Sequence, residues 1–199
     1  MPTERILFKY VPVYDSNFSL AAGVSLSDAE ISEGYEFCEQ LGVAWKEATS
    51  VLNYYASLGF ELPKQTTAYL VHPRGSFTPF SDPLTIHIIP DMDEAIATLT
   101  HEYCHVLSMA QENEIFATPI WEAAQKALET ESFVTQDHVI INKLTEAGLY
   151  HIWGKERTDR VLSKERMLLG LDRAWAILDR AAINAENPIE GLRTFFSSK

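Results

Sequence analysis

Three side chains in this sequence have the types and the spacing for hydrolytic metal chemistry: His101, Glu102 and His105, within Thr98-Leu-Thr-His-Glu-Tyr-Cys-His-Val-Leu107. Residues four apart on a helix share a face, so His101 and His105 can hold one tetrahedral ion. Glu102 is turned about 100° from His101, which sets it beside the ion instead of beneath it. A carboxylate there can take a proton from a water and later pass it to a leaving amine. Zn²⁺ suits these donors and lowers the pKa of its water towards neutrality, so the expected cofactor is zinc. With six His and nineteen Glu in the chain, H-E-x-x-H arises by accident in about one or two sequences per hundred of this composition. The plain alternative is two helix-surface histidines with an incidental glutamate.

The context must place these residues on a helix, and it does. Asp91 with Glu94 forms a D-x-x-E start signal, and apolar Ile96, Leu99, Val106 and Leu107 flank the motif, predicting a helix to about Met109. Before it lie two strand candidates, Thr66–Val71 and Leu84–Ile89, with a possible short edge strand at Gly75-Ser-Phe-Thr78. Residues 5–14 also read as a strand, with Pro12 favouring an edge or bulge, and 15–27 as connection. From Ser27 to Leu58 the apolar residues Ile31, Tyr35, Cys38, Leu41, Trp45, Ala48, Leu52 and Tyr55 recur at helical steps. That predicts one long helix packed on a sheet.

After the motif, Thr118-Pro119 signals a helix start, because Pro is favoured at the first helical position. Further helices are expected over about 136–152 and 158–184, and a short one opens at Asn187-Pro188. Strands first and helices after predict an α+β fold. It has a small N-terminal sheet, a long packing helix, the motif helix and a mainly helical C-terminal half. No repeat or Pro/Gly linker divides the chain, so 1–199 reads as a single domain.

Composition narrows the function. The net charge of −12 argues against nucleic acid as a partner, since phosphate binding needs a surplus of Lys and Arg. No stretch has the ~18 apolar residues of a membrane span, and the first residues show no charged-then-apolar signal pattern. Two cysteines, Cys38 and Cys104, make no disulfide framework. The expected location is cytoplasmic and the protein soluble.

The order strand, Gly-Ser-Phe-Thr edge, Leu-Thr-Ile-His-Ile-Ile strand and His-Glu-x-x-His helix resembles the core of the zincin metalloproteases, over roughly residues 65–130. That resemblance implies a zinc-dependent hydrolysis of peptide bonds with Glu102 as general base and acid. It also implies an edge strand near Ser76–Thr78 that pairs with an extended peptide or protein substrate. Metzincins continue with Gly and His where this chain has Ser108 and Gln111, which excludes that subclass. The thermolysin-like gluzincins take their third ligand from a glutamate on the next helix. By that resemblance Glu122, 17 residues after His105, is the expected ligand, with Glu129 in reserve.

Many gluzincins carry an acid or amide four residues after the ligand glutamate, where this chain has Lys126. For oxyanion stabilisation the family uses a later Tyr or His, and Tyr150, His151 and His138 are candidates by type. His72, His87 and the four tryptophans read as packed or turn residues. Two alternatives stay open: another HExxH amide hydrolase such as a deformylase, although no Cys ligand motif precedes the helix, or a non-catalytic zincin-like scaffold used for binding or regulation.

Overall fold

The structure is a computed structural model that describes residues 6–168, 170–181, 183 and 187–199. The chain divides into two compact units, each discontinuous in sequence: Met1–Thr49 with Pro63–Val106, and Ser50–Leu62 with Leu107–Lys199. Among the described residues the architecture is mixed α and β, with one four-stranded sheet and mostly helix elsewhere.

The first unit holds the sheet, in the order β1-β2-β4-β3. Strands β1 (Ile6–Tyr10), β2 (Thr66–Val71) and β4 (Leu84–His87) run parallel, and the two-residue β3 (Phe80–Ser81) closes one edge antiparallel to β4. Parallel strands must be covered by their crossover helices. Here the crossover contains α1 (Pro12–Ala21) and α2 (Asp28–Ala48). Leu41, Trp45 and Ala48 of α2 are buried, as are Ala68, Leu70 and Ile86 of the sheet. Ser27 opens α2 with a full capping box, its side chain accepting from the Glu30 N–H while the Glu30 carboxylate accepts from the Ser27 N–H at 2.8 Å.

The strand expected over 5–14 stops at Tyr10. Arg5 lies outside the described residues, and Pro12 opens α1 instead of marking a bulge. Its fixed φ and missing N–H suit the first helical position. Asp15, in the first turn of α1, then becomes a buried tie. Its carboxylate accepts from the Tyr10 hydroxyl at 2.9 Å and the His72 backbone N–H at 3.0 Å, and lies 2.6 Å from His72 Nδ1. Burial first, then the bond to Asp15, pushes the Tyr10 hydroxyl pKa well up.

The expected edge strand at 75–78 is a turn: Gly75 has φ +55°, the left-handed region, and the Phe77 N–H bonds to the Arg74 carbonyl. The edge strand begins two residues later, at Phe80. The long helix expected over Ser27–Leu58 is broken at Thr49, whose hydroxyl donates to the Trp45 carbonyl at 2.8 Å and competes with the helical ladder. The segment beyond is α3 (Ser50–Ser57) and belongs to the second unit.

In that unit, α5 (Glu114–Ala127) starts before Thr118-Pro119, so Pro119 sits inside the helix. A tertiary anchor overrides the proline signal. Buried Asn113 donates to the carbonyls of Leu107 and Glu61 and accepts from the Glu61 N–H, fixing the chain just ahead of α5. Helix α6 (Phe133–Glu165) is capped by Ser132 and turns sharply at Gly154, with φ 74° and ψ 175°. The expected helix over 158–184 is instead the end of α6 and α7 (Asp172–Ala181), with residues 169, 182 and 184 outside the described set. Helix α8 (Pro188–Ser197) opens at Asn187 as expected. Val139, Ile140, Leu144, Trp175 and Leu192 form the core of this unit. No helix among the described residues is long and apolar enough to cross a membrane.

Candidate metal centre

Helix α4 (Met92–Met109) carries the motif. Asp91 caps it, accepting from the Asp93 N–H at 2.9 Å and the Glu94 N–H at 3.4 Å. Ala95, Ile96, Leu99, Tyr103, Cys104 and Leu107 are all buried, so apolar residues surround the helix on several sides and fix its rotation. His101 and Glu102 are buried at 7% and 8% exposure, and His105 is half-buried. The two imidazole rings are 5.2 Å apart between centroids and tilted by 59°, side by side as the i, i+4 spacing requires. Cys104 is fully buried, consistent with a packed side chain.

Among the described residues one group of His, Cys, Asp and Glu side chains could hold a metal ion: His101, His105 and His138, whose donor atoms all lie within 4.8 Å of one another. Three imidazoles are a donor set suited to zinc and to other borderline-soft divalent ions. His138 sits in the second turn of α6, half-buried, with Nδ1 2.8 Å from the Val134 carbonyl. A carbonyl can only accept, so Nδ1 is the donor in that bond, as in the tautomer whose Nε2 can ligate a metal. The Trp121 indole N–H donates to Asp137 Oδ1 at 3.0 Å, tying α5 to the residue before His138.

Glu122, the glutamate expected as third ligand, is exposed on α5 and is not a member of the cluster. Glu129 is also exposed and lies past the end of α5 at Ala127, so it does not share a helical stripe with Glu122. In the sequence His138 stands out only by residue type, as a candidate for oxyanion stabilisation. The available signal was its spacing: Asn142 follows it by four residues, an amide on the same helical face. Asn142 is fully buried, with neither amide atom bonded to another protein group.

The two other oxyanion candidates have partners of their own. The Tyr150 hydroxyl donates to Asp159 at 2.7 Å, and burial followed by that bond pushes its pKa up. His151 stacks on the Tyr54 ring at 4.8 Å. His87 follows fully buried Ile86 on β4 and is itself half-buried, with a pKa lowered by burial. Trp45 and Trp175 are buried, while Trp121 and Trp153 are half-buried, Trp153 beneath the Arg157 guanidinium.

Comparison with family models, with curated proteins and with solved structures found no match for this chain.

Proposed function

We propose that the chain is a zinc-dependent peptide hydrolase in which His101, His105 and His138 hold the ion and Glu102 moves the proton. The observation that carries this reading is the three-imidazole cluster with a glutamate next to its first member. Zinc, when bound there, supplies Lewis acidity and a water of lowered pKa. The chain's own residues do the rest. The imidazole of His138 is held in one tautomer by the Val134 carbonyl, which removes the cost of choosing it on loading. Glu102, nearly sealed from solvent, has a carboxylate that can accept a proton from a nucleophilic water and deliver it to the leaving amine.

His138 replaces Glu122 as the proposed third ligand, an imidazole where the gluzincin pattern has a carboxylate, and the residue four positions on changes with it. With Glu122 the fourth residue on is Lys126; with His138 it is Asn142, a buried amide with hydrogen-bonding capacity to spare. Substrate, in this reading, lies extended along β3, the antiparallel edge strand beside β4. Hydrolysis of a mixed peptide library, followed by mass spectrometry, tests the activity. Wild type cleaves and Glu102→Gln does not, while the variant keeps its zinc. Equal cleavage by both, or none by a zinc-loaded wild type, overturns the proposal.

A further inference from the structure

Strand β1 ends the sheet on the side away from β3, and no described strand pairs with its outer edge. Main-chain groups alternate in direction along a strand, so every second residue of β1 turns its N–H and C=O towards that open edge. An uncovered edge of this kind is a template for another strand. Beside it runs a groove of about 430 Å³ between β1 and α2, lined by Leu7, Phe8, Glu39, Gly42, Val43 and Lys46 among others. Leu7 is 40% exposed and Val43 65%. On α2 the residues Glu39, Gly42, Val43 and Lys46 follow an i, i+3, i+4, i+7 pattern, so they form one stripe along the groove.

We propose that this surface is a self-association site, occupied by β1 and α2 of a second copy of the chain around a two-fold axis. The sequence is self-complementary on both elements. An antiparallel β1 pair with Leu7 against the partner's Leu7 sets Ile6 against the partner's Phe8. The exposed leucines then cover each other. The same axis passing α2 between Gly42 and Val43 sets Glu39 against the partner's Lys46, and Gly42 against the partner's Val43. Opposite charges meet twice, and a branched side chain meets a residue with none. The two centres are adjacent in the molecule, because a Cβ at Gly42 would lie 3.9 Å from the Phe8 ring. One axis therefore serves strand and helix together, as an isologous interface requires. An unrelated extended peptide would satisfy the strand edge but not the paired charges.

Sedimentation equilibrium of the full chain at micromolar concentrations tests this, with a mass of twice 22.5 kDa expected for wild type. Glu39→Lys and Lys46→Glu each place like charges across the axis and raise the dissociation constant at least about tenfold, whereas the double variant restores association. Both changes are on the exposed face of a helix, and circular dichroism verifies that each of the three variants remains folded. Wild type that sediments as one chain, or a dimer indifferent to both single charge changes, overturns the proposal. The readout is mass, so it stands or falls separately from the metal reading.

Discussion

Helices α4 and α6 both contribute imidazoles to the cluster, and they are held in different ways. On α4 the two histidines are one turn apart and share a face by backbone geometry alone. Apolar burial around the helix and the Asp91 cap keep that face turned one way. On α6 a single histidine depends on attachments from elsewhere: the Ser132 cap, the Trp121–Asp137 bond, and the contact between Gly148 and Tyr55 further along. A pair fixed by local spacing tolerates distant change; a single ligand fixed by packing does not.

The largest effect should come from α4. His105→Ala removes one of two ligands on the rigid helix and should abolish stoichiometric zinc binding, read by metal analysis of the purified protein. Next comes Gly148 on α6. A Cβ there would lie 2.3 Å from the buried Tyr55 hydroxyl, which donates to the Leu144 carbonyl. Gly148→Ala should cost about 1–3 kcal/mol by overpacking, measured by urea unfolding. If α6 is as dependent on packing as the comparison holds, zinc affinity should fall in this variant too. Trp121→Phe deletes one part-buried hydrogen bond and should cost about 1 kcal/mol.

The smallest effect lies at the N-terminus of α2. The Arg74 guanidinium, then the Ser27 hydroxyl, lower the Glu30 pKa from 4.5 to about 2. A carboxylate depressed in the folded state stabilises above its unfolded pKa and loses that contribution as pH falls from about 4.5 to 2. Glu30→Gln should therefore flatten acid unfolding in that window, by under about 1 kcal/mol because the pair is partly exposed.

The contrast between the helices also explains what could be read beforehand. The α4 motif, β2, most of β4 and the Asn187-Pro188 start of α8 are local patterns, visible as spacing, alternation or capping. Helix α1 was hidden because Pro12 follows a strand-like run of aliphatic and aromatic residues, although Pro at a first helical position with Asp15 in the first turn was a usable signal. The α5 start was misplaced because Asn113, bonded to Glu61 and Leu107, sets it through the tertiary structure. His138 is the clearest case. Its one local mark is Asn142 four residues on, and its grouping with His101 and His105 depends on folding across more than thirty intervening residues.

The central claim is that α6, through His138, completes the site. Zinc per chain, measured by mass spectrometry on wild type, His138→Ala and Glu122→Ala purified side by side, tests it most directly. The account predicts one zinc in wild type and in Glu122→Ala, with the metal lost from His138→Ala. Zinc retained by His138→Ala and lost from Glu122→Ala would contradict it.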